Sequence, residues 1–265
     1  MVDFIVGRQS LKLKNRVGIV TGAGGGIGRA IAQAFIEEGA RVAALDINLD
    51  SLLSLEQEVG ARSSQLMICA SDATALESIR DTVDLVMSKW GQIDILVNNV
   101  GGGIGTHSDS TLVDEGWDAT VALNLTGCFC FIQAVADPMR RQKYGRVVNI
   151  SSSGGRYRSN TGAANIAYAA AKGGVLQLTR TVAHALGRDG ITVNAIAPGL
   201  VMTQAGRKEY EMLAPALRER VLRETPLGYF CEPSEIASIA VFLASSDASY
   251  VTGATILANG GWCTS

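Results

Sequence analysis

The chain is short of metal ligands, of paired cysteines and of charge in excess. Its two histidines, His107 and His184, stand 77 positions apart and fit neither H-x-x-x-H nor H-E-x-x-H, so no zinc site is expected. The five cysteines (Cys69, Cys128, Cys130, Cys231, Cys263) form no C-x-x-C pair. Cys128 and Cys130 would point apart on a helix, so free thiols of a reducing compartment are expected. No unbroken run of ~18 apolar residues offers a membrane span. The opening MVDFIVGRQSLKLKNR lacks the positive-then-apolar order of a secretory signal, which places the protein in the cytoplasm as an expectation. Lys plus Arg total 23 against 25 Asp plus Glu, for a net charge of −2. With no basic stripe, nucleic acid and anionic membranes have no electrostatic support as partners. The absence of a G-x-S-x-G elbow counts against an esterase of the α/β-hydrolase type.

Apolar residues and glycine are plentiful. Hydrophobic residues make up 47% of the 265, enough for one sizeable core. Seven short apolar runs read as strands, near 16–22, 41–47, 65–71, 93–99, 145–151, 191–198 and 252–259. Most are continuously hydrophobic, as parallel strands covered on both faces must be. Helical patterns alternate with them near 27–38, 49–60, 74–90, 111–137, 165–187 and 233–245, the last opened by Pro233. This alternation predicts one α/β domain over 1–265. It is a Rossmann-type, doubly wound parallel sheet of about seven strands with helices on both faces. Two stretches break the rhythm: the glycine-rich GGGIGTHSDST at 101–111, and a long mixed segment at about 199–232 that reads as a lid. Both follow strands directly, so both belong on the rim where open α/β sheets bind ligands.

The segment IVTGAGGGIGRA (19–30) packs five glycines between the first strand and the first helix. It departs from strict G-x-G-x-x-G, yet the physical needs are the same. Gly22 would supply backbone angles closed to other residues. Gly26 would let a pyrophosphate approach the backbone, and Gly28 would let the helix pack tightly on the sheet, its free N–H groups facing the anion. Asp46 ends the second strand, 18 residues after Gly28, followed by Ile47 and Asn48 rather than a cation. A carboxylate there accepts hydrogen bonds from ribose hydroxyls and repels a 2′-phosphate, so NAD(H) is the expected cofactor.

YAAAK supplies Tyr168 and Lys172, four apart and therefore on one helical face. A free phenol titrates near ~10 and is a poor base at neutral pH. A neighbouring ammonium, together with the cofactor's positive nicotinamide, is expected to lower that value, so that Tyr168 can exchange a proton with an alcohol or ketone as hydride moves. Ser151, Ser152 and Ser153 close the fifth strand at the ligand rim, and Asn124 interrupts an apolar helix. Buried without partners its amide would be costly. It is expected either to bond its own helix or to kink it and hold a relay water toward Lys172.

Taken together these motifs resemble the classical short-chain dehydrogenase/reductase family, from about Leu11 to Trp262. TGAGGGIG resembles its cofactor turn, adding Ile27 to the three glycines. NNVG (98–101) resembles its N-N-A-G signature with Val100 in place of alanine, and PGLVMT (198–203) its P-G-x-x-x-T segment. The resemblance implies a catalytic tetrad of Asn124, Ser152, Tyr168 and Lys172. It implies further cofactor contacts at Asp72, Ala73, Asn99, Gly101, Pro198, Gly199 and Thr203, with Tyr168 and Lys172 shared. Asn98 would support the strand end, and Thr203 would meet the nicotinamide carboxamide. The implied protein is a homotetramer that moves hydride between a secondary alcohol or ketone and NAD(H). A 3-oxoacyl-(acyl-carrier-protein) reductase is the alternative enzyme, kept open by Arg207, Lys208, Arg218, Arg220 and Arg223 near the lid. An NAD-binding sensor or scaffold is the non-enzyme alternative.

Ser152 lies 16 residues before Tyr168, about three more than the family's usual spacing, and Ser153 remains an alternative to it. The extra residues bring Arg156, Tyr157 and Arg158. These are either a solvated loop or a pocket wall whose arginines hold an anionic substrate group. The lid's Leu200, Met202, Tyr210, Met212 and Leu213 suggest an apolar wall. The terminal GGWCTS reads either as a subunit contact or as a frayed tail. Substrate identity and physiological direction are not legible.

Overall fold

The computed structural model describes residues 11–105, 107–108, 113–157 and 165–262. The first half runs β1 (Val17–Thr21), α1 (Gly26–Glu37), β2 (Arg41–Asp46), α2 (Leu49–Val59), β3 (Leu66–Ala70), α3 (Leu76–Trp90) and β4 (Ile95–Asn98). A two-residue antiparallel pair, β5 (His107–Ser108) and β6 (Val113–Asp114), interrupts the glycine-rich stretch predicted to be irregular. Then come α4 (Trp117–Val121), a π-helical turn (Ala122–Thr126), α5 (Gly127–Gln142), β7 (Gly145–Ile150), α6 (Ile166–Leu186) and β8 (Ile191–Pro198). The predicted lid folds as α7 (Gln204–Met212) and α8 (Pro215–Arg223), before α9 (Pro233–Ala244) and β9 (Thr255–Ala258).

The sheet has seven strands in the order β3-β2-β1-β4-β7-β8-β9, all parallel. Alternate residues of each strand feed two separate cores. Val20, Val42, Ala44, Val97 and Val148 pack with Phe35 of α1 and Ala240 of α9 on one face. Ile19, Ala43, Leu96, Val147 and Val193 pack with Val86 of α3, Phe131 of α5 and Val175 of α6 on the other. Both faces are covered, which is why the strands read as unbroken apolar runs. The order in which strands are added reverses between β1 and β4, the switch point where such sheets open a crevice.

The helix predicted at 111–137 needed correction at both ends: it starts at Trp117 and continues through Pro138 to Gln142. Pro138 offers no N–H to the Ala134 carbonyl, but its ring is buried, and that packing offsets the missing bond. By length and composition Trp117–Gln142 could cross a membrane. Here its apolar face, including Phe131, Ile132, Val135 and Met139, is buried in the core. Pro233 sits in the first turn of α9 as predicted, with a capping box between Glu232 and Glu235.

Candidate active site

A cleft of about 1700 Å³ opens along the carboxyl ends of the strands, roomy enough for a dinucleotide and a second ligand. At one end the β1–α1 turn forms its floor. Gly22 adopts φ +65 and Gly26 φ +52, which explains glycine at both. A side chain on Gly26 would meet the Thr203 methyl at 3.0 Å, so lid and turn nearly touch there. Gly28 lies beneath the turn rather than on the cleft wall. A Cβ there would sit 2.1 Å from the Gly22 carbonyl oxygen, so its role is close helix packing. The N-terminus of α1 carries no side-chain cap, leaving backbone donors for an anion. Asn99 stitches the switch point: its N–H donates to Thr21 Oγ1, and its amide donates to the carbonyls of Thr21 and Gly22.

Asp46 stands at the rim with Ile47 and Asp72. Its carboxylate accepts from the N–H of Gly24 at 2.9 Å and of Asn48 at 3.0 Å, which holds it at the mouth of the turn. Arg29 lies under the same loop, but its guanidinium is committed to the carbonyls of Gly24 and Ser51 and to Glu58. Asp72 accepts from both the backbone and hydroxyl of Thr74, which hold its carboxyl below the usual range. The uncapped helix end, the glycine cradle and a carboxylate on the rim together fit a nicotinamide dinucleotide.

At mid-cleft α6 brings Tyr168 and Lys172 onto one face, with Lys172 Nζ 5.6 Å from the phenol ring centre. Asn165 caps this helix by accepting from the Tyr168 N–H, which fixes where the first turn begins. Lys172 is buried and donates to the Ile150 carbonyl at 2.9 Å. Of the three serines, Ser151 is spent on the Lys172 carbonyl and Ser153 is buried. All three line the cleft, and it is the Ser152 hydroxyl that acts on the Tyr168 phenol, which separates it from its neighbours. Gly155 makes the loop possible: a Cβ would lie 2.6 Å from the Lys172 backbone.

Asn124 occupies the π-helical turn and is buried. Its amide donates to the carbonyls of Gly102 and of Thr120, and its oxygen accepts from the Gly102 N–H. It therefore bonds its own helix and also clamps the loop after β4. Gly101 is wedged between Asn124 and Lys172, so the tetrad residues enclose the cleft floor. Behind them a buried chain runs from Thr179 to Asn149 to Asn98, placing Asn98 below the strand end rather than in the cleft.

The Lys172 ammonium alone does not bring the expected lowering of the Tyr168 phenol. Burial pushes the phenol up, the Ser152 hydroxyl opposes this, and the carboxylate of Glu209 adds to the rise. Lys172 Nζ lies over the ring, 5.6 Å from its centre. Burial also brings Lys172 down to about 8 from 10.5. With its folded value below its unfolded one, the unfolded chain holds more protons between about 8 and 10.5, so stability from this group grows as pH rises through that window. Comparing chemical denaturation of the wild type with Lys172→Met should show the difference move ~1–3 kcal/mol toward the wild type between pH 7 and 11. A pH-independent difference would rule out a buried, easily neutralised lysine.

Other sequence expectations fare unevenly. Ile27, Ala73, Gly101, Pro198, Gly199 and Thr203 all line the cleft, and Thr203 also caps α7 through Gly206. Leu200 lines it, whereas Met212 is exposed and Tyr210 stacks on Phe230 outside it. Trp262 is neither frayed nor outward. It is buried and meets Tyr157 edge-on at 6.4 Å, and both line the cleft. Arg156 is exposed, its guanidinium 5.4 Å from the Tyr157 ring and outside the cleft. Arg158 and Cys263 lie outside the described residues. Sequence reasoning missed Glu209, Phe230 and Tyr229, which line the cleft from the lid side. Glu209 sits on the short polar helix α7, and Tyr229 and Phe230 in the loop between α8 and α9, so none follows a periodic apolar signal.

A family model described as enoyl-(acyl carrier protein) reductase matches residues 22–263. The 3-oxoacyl-(acyl-carrier-protein) reductase of Thermotoga maritima is 40% identical, over 95% of this chain and 99% of its own. D-threitol dehydrogenase of Mycolicibacterium smegmatis is 36% identical, over 98% and 96% respectively. Among solved structures, a 7α-hydroxysteroid dehydrogenase complexed with NADH and 7-oxo glycochenodeoxycholic acid superposes with a TM-score of 0.88 at 32% identity, covering 97% of each chain.

Proposed function

Since the chain belongs to the classical short-chain dehydrogenase/reductase family and is an oxidoreductase of CH–OH groups using a nicotinamide cofactor, we propose that it interconverts a secondary alcohol and a ketone with NAD(H). The observation that carries this reading is the convergence of Ser152, Tyr168 and Lys172 at mid-cleft, between the glycine turn and the lid. When bound, the nicotinamide ring gives or takes the hydride. The chain's own residues manage the proton and the oxygen. The Ser152 hydroxyl orients the reacting oxygen beside the Tyr168 phenol. Tyr168 gives its proton to a carbonyl oxygen in reduction, or takes it from the carbinol in oxidation. Its upward-shifted phenol holds that proton at neutral pH, which suits the acid role. Lys172, anchored on Ile150, supplies positive charge beside the ring, and Asn124 keeps the floor of the site in place.

The NAD(H) preference rests on Asp46 at the rim and on Arg29 being committed elsewhere. Asp46→Ala should narrow the NAD/NADP affinity gap about tenfold by removing repulsion of a 2′-phosphate. Titrating both cofactors checks it, and wild-type protein that binds NADP(H) more tightly would reverse the assignment.

A 3-oxoacyl-(acyl-carrier-protein) reductase is the second reading, favoured by the Thermotoga relative. Against a basic docking patch, Arg207 is paired with Glu232 and Arg220 with Glu224, while Arg218 donates to backbone carbonyls. Turnover of free small ketones against acyl-carrier substrates, followed at the reduced-nicotinamide band with both cofactors, separates the two. We also propose a homotetramer in the cytoplasm. Half-exposed Trp117 and Phe129 on one long helix support the assembly, and the free thiols of Cys69, Cys128, Cys130 and Cys231 suit a reducing compartment.

A further inference from the structure

The charges around the cleft are unevenly distributed. Asp46 and Asp72 stand at the adenosine end, and Lys172 is turned onto the Ile150 carbonyl at the floor. On the lid side the charged lining residues are Glu209 and Glu235. Glu235 is committed, accepting from the Tyr229 hydroxyl at 3.0 Å and the Glu232 N–H at 2.9 Å. Glu209, on α7, has no hydrogen bond or ion pair to its carboxylate among the described residues. Its neighbours on α7 include two cations: Arg207 is turned away onto Glu232, and Lys208 makes no ion pair with Glu209 among the described residues. Arg156, the described cation of the insert, lies over Tyr157 and outside the cleft. The geometry points to Glu209 as a specificity-determining residue: it selects secondary alcohols and ketones that carry a second hydrogen-bond donor, a hydroxyl or an ammonium, and disfavours those that carry a carboxylate.

This rests on the assignment of mid-cleft as the reacting centre, and it runs opposite to the idea that Arg156 holds an anionic substrate. Glu209 lines the same cleft as Tyr168 from the lid side, and its charge helps push the phenol up. A substrate held between phenol and lid therefore lies within reach of the same charge. A donor there gains a charge-assisted hydrogen bond to the exposed carboxylate, and a carboxylate meets its repulsion, in a cleft also lined by Tyr157, Phe230 and Trp262.

The test uses three secondary alcohols of one carbon skeleton, bearing a vicinal hydroxyl, a vicinal ammonium or a vicinal carboxylate. Their kcat/KM values with saturating cofactor are compared for wild type, Glu209→Gln and Glu209→Asp. Wild type should prefer both donor substrates over the carboxylate. Glu209→Gln should shrink the ammonium-to-carboxylate ratio ~10-fold or more, and Glu209→Asp should keep the wild-type order. An unchanged ratio in Glu209→Gln, or a wild type that prefers the carboxylate, overturns the inference while leaving the hydride-transfer reading standing. A wild type that binds cofactor yet turns over none of the three, nor any simple alcohol or ketone, removes that reading and this inference with it.

Discussion

Tyr168→Phe should lower kcat by ~10²–10⁴-fold while leaving cofactor affinity and thermal stability close to wild type. The substitution keeps the ring, its place on α6 and its contact with Lys172, and removes only the hydroxyl bonded by Ser152. Loss of turnover with binding intact is the signature of a group acting on the proton rather than on the fold. Stopped-flow absorbance of the reduced cofactor, with a parallel binding titration, reads both quantities. A variant that keeps its rate would mean that another donor, such as Ser152 or a water, serves the reacting oxygen.

Gly101→Ala should cost ~10²-fold in kcat, although it removes no functional group. A Cβ at Gly101 would lie 2.6 Å from Asn124 Oδ1 and 2.7 Å from Lys172 Nζ. Neither neighbour has room to retreat. Asn124 is held by Gly102 and Thr120, Lys172 by Ile150, and both are buried. Gly101 does not need a left-handed backbone, so the effect is steric and local rather than conformational. The accompanying overpacking should cost ~1–3 kcal/mol of stability. Gly187→Ala, where an added methyl meets nothing, should behave as wild type and serves as the control. Full activity in Gly101→Ala would show that Asn124 and Lys172 tolerate displacement, and that the packed floor is not what positions them.

The parts of this molecule readable from its sequence are those where one physical need dominates. Burial on both faces makes β1, β2 and β7 continuous apolar runs, so the doubly wound parallel sheet follows from the pattern. Gly22 and Gly26 are legible because a positive φ admits few other residues. Tyr168 and Lys172 are legible because a helix fixes which residues share a face. What was not legible depends on contacts between segments distant in sequence. The proposal of Ser152 rather than Ser153 needed the placement of the Tyr168 phenol, on which the Ser152 hydroxyl acts. The direction of the Tyr168 shift needed the depth of the site and the placement of Glu209, both set by the lid. Trp262 shows its role only once Tyr157 from the insert closes against it.

The central claim is hydride transfer from a carbinol carbon, and isotope placement tests it most directly. The protein would be given NAD⁺ and secondary alcohols deuterated at the carbinol carbon, and the reduced cofactor weighed by mass spectrometry. The account predicts one deuterium retained on the reduced nicotinamide for every ketone formed. Deuterium released to water, or cofactor bound but never reduced, would contradict it.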